Sequence, residues 1–254
     1  MFMRLVLGSG IAALLGIAAP AHAADLDEII YARELPVTQS VEIGTGWYLR
    51  GDLGYSVQTR GAATRNLIFS AGPATYTATN FDTSSIDNDW SGAVGVGYSF
   101  TDYLRGDLTF DYSEGHFNAT TGGTADTQKI EQYGFMANAY VDLGTFVGFT
   151  PYVGAGAGIT RVAWGALTRD PLGANTSHPG EESWRFTYAL MTGVSYDLSK
   201  NLKLDLGYRY SKVGDGAQFS YDTASVAAGA TGVQADDNGI EKHEVRAGLR
   251  YSLW

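Results

Sequence analysis

The chain contains no cysteine. That excludes a disulfide framework and any thiolate-bound metal. Cations are the minority charge: 17 Lys and Arg stand against 27 Asp and Glu, a net charge of −10. The acidic balance argues against nucleic acid as a partner. Beyond the N-terminus no apolar run approaches the roughly 18 residues a membrane-crossing helix needs. Proline is scarce and glycine abundant, 6 residues against 33. No composition shift marks a second domain.

Met1–Ala23 carries an Arg at position 4, an apolar run from Leu5 to Ala19, and then Pro20-Ala-His-Ala23. This is the layout of a secretory signal peptide cut after Ala23, with an apolar core too short for an anchor. Cleavage would remove one cation and no acid, leaving 16 basic and 27 acidic residues, net −11. Residues 24–46 show no periodicity and read as an irregular N-terminal periplasmic segment, ahead of a barrel over 47–254.

From Trp47 onward the dominant signal is alternation. In Leu202-Lys-Leu-Asp-Leu-Gly-Tyr-Arg-Tyr-Ser211 apolar and polar residues take turns, and the pattern returns in Leu49–Tyr55, Leu104–Tyr112 and Val245–Tyr251. A period of two marks strands with two different faces. Eight are expected, near 47–57, 89–100, 103–113, 130–143, 151–163, 184–198, 202–213 and 240–253. Three connections are short (101–102, 144–150, 199–201). Four are long (58–88, 114–129, 164–183, 214–239) and fall at the opposite end of an up-and-down meander.

One parity is apolar and aromatic. The other collects Arg50, Arg105, Arg185, Lys203, Arg209, Arg246 and Arg250, with Asp52, Asp107, Asp111, Asp142, Asp197, Asp205 and Glu244. Two barrels fit: a soluble carrier with its charges in water, or a transmembrane barrel with its charges in the lumen. Three features favour the membrane. The loop lengths are lopsided, as in outer-membrane barrels. Trp47 and Trp254 at one end, and Trp90, Trp164 and Trp184 at the other, mark two interfacial girdles. The last strand ends the chain on aromatic and apolar residues.

Gly46–Tyr55, Thr150-Pro-Tyr-Val-Gly-Ala-Gly-Ala-Gly158 and Glu244–Leu253 together resemble the small outer-membrane surface-antigen and opacity-type porin barrels of alphaproteobacteria, which share the architecture of the OmpA transmembrane domain. The resemblance covers the mature chain. It implies an all-β, eight-stranded antiparallel barrel in the outer membrane, with short periplasmic turns and long extracellular loops. The expected partners are outer-membrane lipid and lipopolysaccharide, the barrel-assembly machinery, and any ligand met by the loops. Such barrels usually end on a lipid-facing aromatic; here Tyr251 and Leu253 keep that parity and Trp254 is one residue out of step.

An eight-stranded barrel is narrow enough for side chains to fill. The balanced inward charges therefore suggest a plugged, ion-paired lumen; a narrow polar pathway is the alternative. Catalysis is not expected. Neither His116 nor His178 sits in a constellation that would orient a nucleophile, and His243 lies on the outward parity of the last strand. Asp236-Asp237-Asn238 is a fragment of a calcium-type loop without its full ligand spacing, so neither metal nor cofactor is expected. Arg161, outward near the outer end of its strand, could touch lipid phosphates or snorkel. The Asn118 and Asn175 sequons are read as chance. The loop aromatics Phe69, Tyr76, Phe81, Phe219 and Tyr221 sit where recognition usually resides. The reading is an envelope barrel with a structural and surface-display role, with a pore or a loop-borne adhesin as alternatives.

Overall fold

The computed structural model describes residues 46–253, apart from 62, 80, 88, 122 and 170–175. The expected leader over 1–23, all but Gly46 of the segment expected to be irregular over 24–46, and Trp254 lie outside those residues. The elements are β1 (Gly46–Arg60), β2 (Ala63–Ala71), β3 (Ala74–Thr79), β4 (Thr83–Ile86), β5 (Trp90–Ser99), β6 (Leu104–Thr121), β7 (Thr124–Asp142), β8 (Phe149–Trp164), β9 (Leu167–Arg169), β10 (Thr176–His178), β11 (Glu182–Asp197), β12 (Leu202–Val213), β13 (Gly216–Ser220), α1 (Thr223–Ala227), β14 (Val233–Asp237) and β15 (Ile240–Ser252).

Eight of these strands close a barrel. Each pairs antiparallel with its neighbours in the order β1, β5, β6, β7, β8, β11, β12, β15, and β15 returns to β1 from Tyr48↔Ser252 to Arg60↔Glu241. Closure leaves this sheet without an edge in the barrel wall. Alternation along the strands decides the faces, interrupted in β1 by a bulge between Ser56 and Gln58. Leu53, Val94, Leu108, Phe186 and Val245 stand exposed outside, while Asp52, Ala93, Asp107 and Glu244 are buried inside. Inward glycines leave room for large lumen side chains. A Cβ on Gly97 would fall 2.2 Å from the Tyr48 ring, and one on Gly248 would fall 2.1 Å from the Asp52 carboxylate.

The short-turn end matches the expected meander. The other end is more ordered than expected. Residues 114–129 are ladder rather than loop: β6 and β7 stay paired from Leu104↔Val141 to Thr121↔Thr124. Apolar Phe117, Ala119 and Ile130 continue the inward parity, and the turn signal comes only at the Gly122-Gly123 pair, where the Gly123 φ of 81° suits glycine. β4 lies against the upper part of β6, and β9 against that of β7, with β10 beside β9. The first and fourth long connections combine into a second sheet, in the order β13, β14, β2, β3. This sheet and its neighbouring segments form a canopy at the long-loop end.

Candidate functional site

The lumen is built from the inward residues of all eight barrel strands. Arg50 of β1 grips Asp52 through two nitrogens at 2.7 and 2.8 Å. It also reaches Asp107 of β6 at 2.7 Å and the Tyr140 hydroxyl of β7 at 2.8 Å. Asn138 donates to the other oxygen of Asp107 at 2.8 Å. Nearer the short-turn end Arg105 pairs with Asp142 at 3.1 Å, its guanidinium 4.1 Å from the Tyr140 ring centroid. Arg250 pairs with Asp205 at 3.1 Å and donates to Ser195 at 2.9 Å.

Towards the outer end Asp111 accepts from both Arg209, at 2.6 Å, and Arg246, at 3.0 Å. Glu244 holds Arg246 at 3.2 Å and accepts from Ser91 at 2.7 Å. Lys203 and Asp197 pair at 2.6 Å, half-exposed at the short-turn rim. The fourteen charges assigned to this face therefore fall into three groupings. Eleven form the lumen ion pairs, Lys203 and Asp197 cap one end, and Arg185 alone reaches into the canopy. Paired charges are what a narrow, low-dielectric interior requires.

Two small voids interrupt the network, of about 40 and 20 Å³, sharing Arg209 and Arg246 as a common wall. Each has room for at most a few waters, since one water needs about 10–15 Å³ of such volume.

Above the charges the inward parity turns apolar. Phe117, Ile130, Val162, Trp164, Val213 and Ile240 form one buried cluster with Ile86 of β4. Trp164 packs edge-on against Phe117, ring centroids 5.8 Å apart. This corrects the placement of Trp164 among the interfacial aromatics: it is 4 % exposed and inside the mouth. The reason is parity, since Trp164 shares its face of β8 with Tyr152, Thr160 and Val162, all buried. The other described tryptophans do face outward. Trp47 meets Tyr98 at 5.3 Å at one end; at the other, Trp90 meets Tyr55 at 5.1 Å and Trp184 stacks on Phe135 at 6.3 Å.

The canopy is pinned to the barrel by Arg185 of β11. Its guanidinium meets Asp237 of β14 at 2.7 Å, the Ala217 carbonyl at 2.9 Å and Ser183 at 2.8 Å. Burial pushes the Asp237 carboxyl above its ordinary range, against the pull of the Arg185 guanidinium. The carboxylate expected in a calcium-type fragment is thus committed to an arginine. Loop aromatics expected to face a partner largely face one another. Phe219 is buried beside Leu167 and Ala235, and Phe81 packs on Phe117. Phe69, Tyr76 and Tyr221 form a triad with centroids 5.3 to 6.3 Å apart.

Histidines are placed structurally. His178 lies against Phe219, and His243 joins Tyr208 and Tyr210 on the outer wall. His116 is exposed at the outer end of β6, opposite Lys129. Arg161 pairs with Glu182, and Lys129 with Glu131 at 2.9 Å. Sequence reasoning missed Tyr48, Tyr140, Tyr152, Asn138, Ser195 and Lys242 as lumen residues. Parity is the signal that finds them, although a tyrosine on the inward face reads as apolar by type and the uncharged Asn138 and Ser195 do not stand out.

Comparison with known proteins places this geometry. An uncharacterised protein of Brucella suis is 38 % identical over 242 residues, covering 82 % of this chain and 85 % of that one. An outer membrane protein of Gluconacetobacter diazotrophicus is 28 % identical over 86 % of this chain and 60 % of its own length. Among solved structures, the outer membrane protein OprG of Pseudomonas aeruginosa superposes with a TM-score of 0.50 at 14 % identity, over 83 % of this chain and 96 % of that one. The outer membrane protease OmpT of Escherichia coli gives 0.51 at 10 % identity, over 81 % and 97 %. At such identities these two likenesses speak of fold alone. The sequence model described as outer membrane protein beta-barrel domain matches residues 9–252, and the chain belongs to that family of integral outer-membrane barrels.

Proposed function

We propose that this protein is a closed, non-catalytic envelope barrel whose working surface is its extracellular canopy. The observation that carries the reading is the stacking of two seals in one lumen. An ion-paired network fills the membrane-level interior, and an apolar cluster around Phe117 and Trp164 covers it at the outer mouth. A conducting path would have to part buried ion pairs and then an oily plug. The described histidines support the non-catalytic part, each being held by aromatic packing or exposed on the outer wall. Single-channel recording of the refolded mature chain in a planar bilayer tests the proposal. Silence from protein shown to be folded is expected; reproducible conductance steps would replace the reading by transport.

A second surface supports the lipid partnership. Arg60, Lys212 and Glu241 stand on adjacent strands around an open polar groove of about 380 Å³, also lined by Ser84 and Ser85. It sits at the outer rim, where lipopolysaccharide phosphates would lie. Vesicles containing lipopolysaccharide should raise the unfolding midpoint, and Arg60→Ala with Lys212→Ala should abolish that gain.

A further inference from the structure

Strand β3 is the unpartnered edge of the canopy sheet. Among the described residues it pairs with β2 alone, from Asn66↔Thr79 to Ala71↔Ala74. The opposite edge of the same sheet is covered: Ser220 N–H donates to Pro179 at 2.8 Å, and Glu181 N–H to Gln218 at 3.0 Å. β3 is different. Its residues Ala74 to Ala78 are all exposed. Natural sheets blunt such an edge with lysine, proline, a bulge or a covering segment. β3 reads Ala-Thr-Tyr-Thr-Ala-Thr, with no charge and no proline, and its pairing with β2 shows no bulge. Backbone groups of an edge strand point alternately to the neighbour and away. About half of those in β3 therefore face outward, and the threonines and tyrosine are strand-forming residues.

The sequence of the edge names its occupant. Ala74-Thr75-Tyr76-Thr77-Ala78 is a palindrome centred on Tyr76. Laid antiparallel against a copy of itself about that centre, it sets tyrosine against tyrosine, threonine against threonine and alanine against alanine. Aromatic and threonine pairs of this kind are favourable across strands, and no like charges meet. We propose that β3 is a self-association edge, joining the canopies of two copies of this chain into one continuous sheet by strand addition. The proposal rests on the reading of the canopy as the working surface, and it names the partner. A five-residue ladder is a weak contact in dilute detergent. Confinement of many copies in one membrane raises their effective concentration and makes the contact effective there.

The chain's lack of cysteine makes the test direct. Full-length Tyr76→Cys protein, refolded at high density in phospholipid vesicles and mildly oxidised, should form a disulfide-linked dimer. Its yield should be several-fold above that of Ile68→Cys, an exposed position on the adjacent strand β2. Adding Thr75→Lys and Thr77→Lys, which set lysines opposite lysines, should abolish the dimer. The heat-modifiable gel shift of the folded barrel should persist in every variant. Equal yields from Tyr76→Cys and Ile68→Cys, or a yield unaffected by the lysines, would overturn the proposal. So would mixed disulfides with other envelope proteins in cells without the homodimer. Conductance is read separately, so a dimer that fails to form leaves the closed-barrel reading standing, and a conducting monomer leaves the edge intact.

Discussion

Arg185 and Asp237, 52 residues apart in sequence, meet at 2.7 Å with both side chains 2 % exposed. One belongs to the barrel wall and the other to the canopy, so this pair couples the rigid scaffold to the surface it displays. Removing the acid strands a buried guanidinium, a change that typically costs about 3–5 kcal/mol. Its remaining acceptors, Ser183, Gly214 and Ala217, hold the loss towards the lower figure. Asp237→Ala should therefore speed amide exchange across 216–237 and leave the barrel ladders protected. Asp237→Asn should be milder, because burial already disfavours the charged carboxyl. Hydrogen-exchange mass spectrometry on both variants reads this, and equal protection of the canopy in wild type and Asp237→Ala would remove its anchoring role.

The lumen offers an asymmetric pair of variants. Asp111 neutralises both Arg209 and Arg246, whereas Arg246 also has Glu244. Asp111→Ala leaves Arg209 without its carboxylate and Arg246 with one; Arg209→Ala leaves every carboxylate with a cation. Asp111→Ala should be the more destabilising, by at least about 1 kcal/mol within the usual 3–5 kcal/mol range for breaking a buried pair. Urea midpoints in lipid vesicles measure the order. Bilayer conductance should stay silent in both, since the apolar cluster above remains in place.

That cluster bears on how much was legible beforehand. Strand number, meander topology and the two faces follow from alternation and loop lengths, because period two is a local property of the chain. The charge network is legible to the same depth: parity assigns Arg50, Asp107 and Arg209 inward, but which acid meets which base depends on barrel stagger. The mouth is harder to read, although its signal is present. Phe117, Ile130, Val162, Trp164, Val213 and Ile240 all keep inward parity while turning from charged to apolar near the long-loop end. A tryptophan near a strand end suggests an interface until its parity is counted. The canopy sheet was illegible for another reason. Its order, β13, β14, β2, β3, joins segments about 170 residues apart, Ala235 pairing with Asn66, and no local pattern specifies such a partner.

Phe117 is the test of the apolar seal. It is fully buried, packed between Phe81 and Trp164. Phe117→Ala should cost about 3–5 kcal/mol, the usual loss for an aromatic in a core. It should not by itself open a channel, because Asp111, Arg209 and Arg246 still close the lumen below. The two seals would have to fail together, so only Phe117→Ala combined with Asp111→Ala should produce measurable conductance.

The helix α1 carries a pH-dependent device outside the membrane. Asp222 caps it, accepting from the Ser225 N–H at 2.6 Å. That hydrogen bond holds its carboxyl below the ordinary range. Because the folded value is depressed, the cap's contribution is full above the ordinary carboxylate pKa of about 3.9 and fades as pH falls through the folded value. Asp222→Ala should remove a local stabilisation of about 0.5–2 kcal/mol, and Asp222→Asn should keep the cap but lose its pH dependence. The Ser225 amide resonance, followed between neutral and acid pH, should titrate in the native chain and stay flat in Asp222→Asn.

The final prediction addresses which face meets lipid. Leu108 is 63 % exposed on the outer wall, and its neighbour Thr109 is buried in the lumen at 7 %. Around Leu108 the outer surface is apolar: Leu49, Val94, Val96, Phe110, Phe135 and Ile159 line one open depression. On a water-facing surface Leu108→Arg would change stability by no more than about 0.5 kcal/mol. In a bilayer an arginine near the midplane of a barrel wall costs about 2–4 kcal/mol. Folding of the Leu108→Arg variant into phospholipid vesicles should show the larger loss, whereas arginine at Tyr55, beside the outer girdle, should cost about 0–1 kcal/mol. A flat response at Leu108 would mean that the apolar face does not lie in lipid. A loss that grows from the girdle to the centre of the wall would map the membrane onto the barrel strand by strand.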